Sequence, residues 1–158
     1  MNLQNLKWTK NVKRTDSPDW AYQLFKAGDL FKLAWKENEH NADRPQREDL
    51  ILLRQHGYVT HLVEILDHKP EREKRQGDFN IYRIVEVRWV IDWSNLSDSM
   101  QANELFNYKL HLQGGDVMSL EMPSFKTHWQ DHGGLTAFQH RVQTTLDRMN
   151  QSKIAASN

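Results

Sequence analysis

The sequence predicts an α+β fold, a small, mostly antiparallel curled β-barrel flanked by short helices and followed by a C-terminal amphipathic helix. Strands are predicted because apolar residues either alternate or run continuously over segments of strand length. These segments are Leu30–Trp35, Leu50–Gln55, Val59–Asp67 and Ile81–Trp93. The C-terminal helix is predicted because apolar residues recur there every three or four positions, at Leu135, Phe138, Val142, Leu146 and Met149.

Length and composition indicate one soluble globular domain. The chain has 158 residues, 38% of them hydrophobic and 27% charged. We expect a single domain over 1–158, with a disordered tail at 151–158. No apolar run is long enough to cross a membrane, and the N-terminus lacks the apolar segment of a signal peptide. The chain has no cysteine, which fits a reducing compartment, so a cytoplasmic protein without membrane contact is expected.

The charge balance limits what the protein binds. Lys and Arg together number 21, and so do Asp and Glu, which gives a formal net charge of zero. Proteins that bind nucleic acid through bulk phosphate attraction are usually basic. A nucleic-acid contact in this protein is therefore expected to be local, at one patch or pocket.

The N-terminal region begins with a basic segment that also contains an indole. Residues 1–16 include Lys7, Trp8, Lys10 and Lys13. This segment is either a solvated arm or first strand, or a contact segment for a phosphate backbone. After it, Ser17-Pro18-Asp19 resembles a helix start, and we predict a short helix over 18–26 that ends at Gly28.

The predicted strands contain two polar residues in apolar positions. His61 shares a face with Val59 and Val63, and a histidine in that position is usually a hydrogen-bonded core residue. Arg83 interrupts the apolar face of Ile81–Trp93, so it either turns outward at a bulge or lines a polar opening. A strand of that length is expected to bend or to carry a bulge.

Three connecting regions are predicted. The polar loop from Glu37 to Glu48 is long enough to carry function. The charged segment 68–78 is expected to be a mobile loop. Tyr108–Leu112 and Val117–Met122 are expected to form a hairpin around Gly114-Gly115-Asp116.

The sequence lacks the common catalytic and nucleotide-binding motifs. It contains neither a Gly-x-Ser-x-Gly nucleophile turn, nor a phosphate-binding loop, nor a Gly-x-Gly-x-x-Gly dinucleotide motif. His128 and His132 have the i, i+4 spacing of zinc ligands, but no glutamate follows His128 and Gly133-Gly134 ends the helix. No metal, cofactor or catalytic residue is therefore predicted, and an enzymatic role is the less favoured one.

The remaining signal is a combination of indoles with polar side chains. Trp35 ends a strand and is followed by Lys36, Asn38 and His40, and indoles beside such groups can hold an unstacked base. The predicted ligand-binding residues are Trp8, Trp20, Trp35, Lys36, Asn38, His40, Arg83 and Trp89. The competing interpretation is that the tryptophans fill the core of a small barrel.

The run Lys26-Ala27-Gly28-Asp29, followed by the strand Leu30–Trp35, resembles the PUA-like superfamily and, within it, the EVE-type small barrels. The likeness covers roughly residues 6–93. It implies a barrel that reads RNA or a modified base, with Trp35, Lys36 and Asn38 in the pocket and Trp8 or Trp20 as its N-terminal wall. The sequence departs from the family where Trp35-Lys36-Glu37 replaces the usual aromatic-serine ending of this strand.

Three functions follow as expectations. The first is a nucleic-acid binding module for RNA or a modified, unstacked base. The second is a protein-interaction or structural domain without nucleic-acid contact. The third, suggested by similarity to the ASCH type within the same superfamily, is an amidohydrolase acting on base analogues through Lys, Thr and Glu. Lys32, Thr60 and Glu64 are residues of these types, but their order does not match the family pattern.

Overall fold

Seven strands form one mixed sheet in the computed structural model, which describes residues 2–14, 17–74, 79–110 and 114–157. The strands are β1 (Leu6–Asn11), β2 (Leu30–Trp35), β3 (Leu50–Gln55), β4 (Tyr58–Ile65), β5 (Glu71–Arg72), β6 (Ile81–Val90) and β7 (Val117–Ser119). Their order is β2-β6-β4-β3-β1-β7, and β5 pairs with the start of β6. Among the described strands, only β1 and β3 are paired in parallel. The predicted α+β class and curled sheet are confirmed, and the sheet is a half-barrel.

Four α-helices accompany the sheet within the described part of the chain. They are α1 (Glu39–Ala42), α2 (Ala102–Phe106), α3 (Pro123–Trp129) and α4 (Gly134–Ser157). The predicted C-terminal helix is confirmed, and it continues through Ser157, while Asn158 lies outside the described residues. Among the described helices, none combines the length and apolar character that a membrane crossing needs.

The sheet separates two parts of the core, and a bulge in β6 changes which of them its residues join. Val63 of β4 pairs with Val87, whereas the preceding Leu62 pairs with Trp89, so Arg88 is an extra residue in β6. Val87 therefore points to one side of the sheet, and Trp89 points to the other. The bulge expected for so long a strand is confirmed.

The inner core lies on the concave side of the sheet, because it joins residues from β2 at one edge to β7 at the other. Its largest members are Phe31, Leu33, Trp35, Ile51, Leu53, Ile65 and Ile81. The outer core lies between the opposite face and the helices. It includes Leu52, Leu62, Trp89, Phe106, Phe125, Trp129 and Phe138. Both faces of β3 are thus covered, as its continuous apolar sequence predicts.

The β3–β4 hairpin turns at His56 and Gly57, as predicted, and both residues have positive φ, 50° and 82°. The parity predicted for β4 is wrong at Val59. Irregular pairing on both sides of β4 places Val59 with Leu62 in the outer core, whereas Val63 belongs to the inner core.

The loop after β2 closes the gap between the two edges of the half-barrel. Helix α1 begins there, and the side chain of Asn38 caps it by accepting from Asn41 N at 3.1 Å. The Asn41 amide lies between the edges, since its Oδ1 accepts from Trp35 Nε1 on β2 and from Val117 N on β7. Asn41 Nδ2 also donates to Val117 O.

The helix predicted over 18–26 is wrong. This segment forms a bend and then a turn, in which Tyr22 has a left-handed φ of 59°. The side chain of Gln55 accepts from Ala21 N and donates to Ala21 O. These long-range bonds hold the backbone in a conformation that a helix would not allow, and so outweigh the local helix signals. Gly28 still leads into β2 with φ of 95°, and its N–H donates to Val87 O.

The predicted hairpin around Gly114 is not seen among the described residues. Residues 108–110 form no strand, and 111–113 lie outside the described part of the chain. β7 pairs with β1 instead, with Thr9 opposite Met118. In the segment 68–78, Glu71 and Arg72 form the short strand β5, and 75–78 lie outside the described residues.

Candidate functional site

Trp35, the centre of the sequence-based site, is a core residue. Its side chain is fully buried, and its Nε1 donates to Asn41 Oδ1 at 3.0 Å. The amine of Lys10 lies 4.8 Å from the ring centroid. Helix α1 covers the end of β2, so the indole offers no open face to a ligand in this structure.

The polar residues after Trp35 have different surroundings. Asn38 Nδ2 donates to Asp116 Oδ2, so this side chain links α1 to the segment before β7. Lys36 is exposed, and its Nζ lies 5.7 Å from the centroid of Phe79. His40 is exposed on α1. The structure thus brings Lys36 and Asn38 to the gap between the two edges of the half-barrel and does not group them around an exposed indole.

Arg83 is fully buried within the inner face of β6. Its Nε donates to Asp67 Oδ1 at 2.7 Å, and its Nη1 donates to the carbonyls of Ala42 and Pro45. Both positions expected from the sequence are wrong, because Arg83 neither turns outward nor lines an opening. The side chain instead binds the loop after α1 to the sheet, where Asp67 and backbone carbonyls compensate its charge.

Trp8 is half-buried on β1 and packs against the inner core. Its Nε1 donates to Asp49 Oδ2 at 2.9 Å, and the guanidinium of Arg44 lies 5.0 Å from its ring centroid. Of the basic residues in this first strand, Lys7 is exposed and Lys10 is buried. The segment is therefore a strand, as one of the two interpretations expected.

Trp20 belongs to an aromatic cluster around the β3–β4 turn. Its ring centroid lies 4.8 Å from that of His56, 6.1 Å from Tyr58 and 5.3 Å from Trp93. The ring of Trp93 also lies 5.7 Å from His61. Trp20 and Trp93 are both half-buried, so the cluster presents indole surface while its neighbours hold it in place.

Trp93 lines an open cleft of about 600 Å³ at the end of β6. Gln23 and residues 25–27 form one wall, residues 88–94 form another, and Asn150 of α4 completes the lining. A second hollow, of about 240 Å³, adjoins it and shares Trp89 and Asn150. Trp89 itself is only 5% exposed, so the accessible indole of the cleft is that of Trp93.

The cleft combines aromatic, amide and charged groups. Gln23 and Asn150 supply amides, which both donate and accept hydrogen bonds. Lys26 is an exposed cation at the wall, whereas Arg88 is engaged with Glu64 and Glu86. Asp92 contributes the opposite charge, so the cleft is electrically mixed and well suited to a polar aromatic ligand.

Of the residues predicted from the sequence, Trp89 lines the cleft, and Trp20 lies outside its lining but contacts Trp93. The cleft also uses residues that sequence reasoning left out of the site, namely Gln23, Lys26, Trp93 and Asn150. Trp93 carried a signal, because it is an indole at the polar end of a long strand. Gln23 and Asn150 carried none, since they come from segments that meet only in the folded chain.

His61 lies beside the aromatic cluster but is part of the core. Its Nδ1 lies 2.8 Å from Thr60 Oγ1, and its Nε2 lies 3.1 Å from Tyr22 O. Burial lowers the pKa of His61 to about 4, and the bond to the Tyr22 carbonyl only partly opposes this effect. The predicted role of a hydrogen-bonded core histidine is confirmed.

Lys10 is a buried amine near the gap between the two edges of the half-barrel. It donates to Gly115 O, and burial lowers its pKa to about 7, while Asp116 acts in the opposite direction. Asn11, Lys13, Lys36 and Gly115 line a small cavity of about 70 Å³ nearby. This cavity is large enough for little more than water, so it offers no substrate pocket.

The residues suggested for an amidohydrolase do not share a site. Lys32 is exposed and pairs with Glu73 at 3.2 Å, and Glu64 accepts from Arg88 at 3.0 Å. Thr60 is fully buried, and its hydroxyl accepts from Gln55 Nε2. Each of these side chains is engaged with a different partner.

The histidines with metal-ligand spacing form a ring stack. His128 and His132 have centroids 4.7 Å apart and planes inclined by 13°, and His128 also stacks on Tyr108. Among the described residues, no group of three or more His, Asp or Glu side chains could hold a metal ion.

The chain matches no protein-family model, and a search of curated proteins finds no relative. The resemblance to PUA-like and EVE-type barrels therefore stays a prediction.

Proposed function

We propose that the protein is a binding module for single-stranded nucleic acid, and that it holds one unstacked base in the Trp93 cleft. The observation that carries the proposal is the half-exposed indole of Trp93, which Trp20 and His61 support while it lines a cleft of about 600 Å³. An indole fixed in this way loses little side-chain entropy when a base stacks on it.

The polar groups of the cleft suit a base better than a phosphate backbone. The amides of Gln23 and Asn150 can pair with the donors and acceptors on a base edge. Lys26 offers one exposed cation, and Asp92 balances it, so attraction to phosphate is weak. This composition agrees with the formal net charge of zero. Affinity is therefore expected to depend only modestly on salt, because few phosphates are neutralised.

Binding of fluorescein-labelled oligonucleotides, followed by anisotropy at low salt, tests the proposal. Single-stranded RNA is the first probe, and a duplex of the same sequence is the comparison. The single strand is expected to bind more tightly, because a paired base is not free to enter the cleft. Replacing Trp93→Leu should weaken binding by about 10- to 100-fold, the range of one base stack on an aromatic ring.

Trp8→Phe is the matched control, because it alters a half-buried indole outside the cleft and should leave the affinity unchanged. Absence of binding by the wild-type protein at low salt would contradict the proposal. Equal losses in Trp93→Leu and Trp8→Phe would do the same, since they would show that the cleft is not the site.

A further inference from the structure

Asp92 lies at the point where the Trp93 cleft meets its neighbouring hollow. It lines both the cleft of about 600 Å³ and the second hollow of about 240 Å³. The residue is exposed, and it directly precedes Trp93 in the chain. Its carboxylate is therefore accessible to a ligand that stacks on the indole of Trp93.

Hydrogen bonds from Ser94 fix the direction of this carboxylate. Asp92 Oδ1 accepts from Ser94 N at 3.0 Å and from Ser94 Oγ at 2.7 Å. The backbone carbonyl of Asp92 also accepts from Asn95 N at 3.1 Å. An ionised carboxylate has about four acceptor positions, so Asp92 can accept from a ligand as well as from Ser94. Because the side chain is already oriented, a ligand bond to it costs little additional ordering.

The charged residues of the cleft discriminate between bases better than its amides do. Gln23 and Asn150 can both donate and accept, so they can pair with the edge of any base. Asp92 only accepts and Lys26 only donates, whereas Arg88 is already paired with carboxylates. The discriminating groups are thus one acceptor and one donor of opposite charge.

Guanine is the base whose edge suits a carboxylate best. Its N1–H and its 2-amino group are adjacent donors, so both can bind one carboxylate, and the O6 atom beside them can accept from a lysine. Adenine and cytosine place a ring acceptor beside their amino group, and uracil has a carbonyl on each side of its N3–H. With these three bases, only one donor reaches the carboxylate along this edge.

We propose that Asp92 makes the Trp93 cleft selective for guanine. Asp92 accepts from the N1–H and the 2-amino group of a guanine stacked on Trp93, and Lys26 donates to its O6. The volume of the cleft lies within the range of about 300–1,000 Å³ that is usual for small-molecule sites, so a purine fits. This inference rests on the proposed function, because it names the base that the cleft holds.

Anisotropy measurements with short fluorescein-labelled RNAs test the selectivity. Each strand is oligouridine, and its central nucleoside is guanosine, adenosine, cytidine, uridine or inosine. The guanosine strand is expected to bind the wild-type protein about 10- to 100-fold more tightly than the others, the value of one additional bond to a charged group. Inosine keeps N1–H and O6 but lacks the 2-amino group, so its strand should bind no better than the adenosine strand.

Asp92→Asn should remove the preference for guanosine, while the other strands still bind. Asparagine keeps one oxygen that can accept from Ser94, but it replaces the second acceptor with a donor. Asp131→Asn is the matched control, because it neutralises an exposed carboxylate that lines neither hollow. It should leave the preference unchanged. Trp93→Leu should weaken the binding of every strand, since it removes the stacking surface.

Equal affinities of the wild-type protein for the guanosine and inosine strands would overturn the inference. A guanosine preference that persists in Asp92→Asn would do so too. If this variant does not fold, the comparison of guanosine with inosine in the wild-type protein decides. When all strands bind alike and Trp93→Leu weakens them all, the selectivity is refuted and the proposed function stands. When no strand binds the wild-type protein, both are refuted.

Discussion

The side chain of Asn41 pairs with the backbone of Val117 as a neighbouring strand would. Asn41 Nδ2 donates to Val117 O at 3.0 Å, and Asn41 Oδ1 accepts from Val117 N at 2.7 Å. The same oxygen accepts from Trp35 Nε1. One amide therefore joins the two edges of a curled sheet that do not pair directly.

Replacing Asn41→Leu should lower the free energy of unfolding by about 4 kcal/mol, because three buried backbone and indole groups would lose their partner. Urea denaturation measures the change. His40→Leu is the control on the same short helix, since His40 is exposed. If both variants lose less than about 1 kcal/mol, the amide does not hold the edges together.

The two arginine–carboxylate pairs Arg83–Asp67 and Arg72–Glu37 should differ strongly in their contribution to the free energy of unfolding. Arg83 is fully buried, whereas the side chains of Arg72 and Glu37 are each 51% exposed. Asp67→Ala would leave a buried guanidinium without its counter-charge and should cost about 3–5 kcal/mol. Glu37→Ala should cost far less, because water screens the exposed pair. Chemical denaturation of both variants tests the contrast, and similar losses would contradict it.

His61 should make the protein less stable in acid. Burial lowers its pKa from 6.5 to about 4, so the unfolded chain binds the proton more readily than the folded one. The neutral imidazole of His61 contributes to the free energy of unfolding in full above pH 6.5. About 3 kcal/mol of this contribution is lost as the pH falls from 6.5 to 4. In His61→Gln this part of the pH dependence should disappear. The measurement is urea denaturation at several pH values, with His40→Gln as an exposed control. An unchanged slope in His61→Gln would refute the assignment.

Lys10 should produce a similar effect in a more alkaline range. Its pKa falls from 10.5 to about 7 on burial, so the folded state gains stability as pH rises from 7 to 10.5. Below pH 7 the buried charge is costly. Lys10→Met should therefore raise the free energy of unfolding at pH 6 by about 1–4 kcal/mol.

The control for Lys10→Met is Lys13→Met, which removes an exposed amine just beyond β1. It should change neither the stability at pH 6 nor its rise toward pH 10. If Lys10→Met destabilises the protein at pH 6, the contact with Gly115 and Trp35 outweighs the cost of burying the charge.

The strands and the last helix could be predicted because their apolar spacing is a local property. Leu33 and Trp35 alternate with less buried neighbours, and Phe138 and Val142 recur at helical spacing, whatever the rest of the chain does. The bulge at Arg88 was expected from strand length alone. Its position could not be inferred, because it depends on how β4 and β6 pair.

The candidate site was less predictable, because it depends on contacts between distant segments. Trp35 at the end of β2 was expected to bind a base, but it is buried and donates to Asn41 of α1. Arg83 was expected to need solvent, but Asp67 and the loop carbonyls satisfy it inside the core. In the segment 18–26, the helix signals are local. The hydrogen bonds that decide its conformation come from the side chain of Gln55, which is distant in the sequence.

The contacts of Asn41 also have a consequence for the behaviour of the protein at high concentration. An edge strand with free N–H and C=O groups is a template on which a second chain can add a strand. Here the amide of Asn41 occupies the backbone of Val117 at one edge, and the hydroxyl of Tyr22 accepts from Ala34 N at the other. Two side chains thus cover part of the free backbone at the two edges of an open, curled sheet, which disfavours the addition of a second chain at those positions.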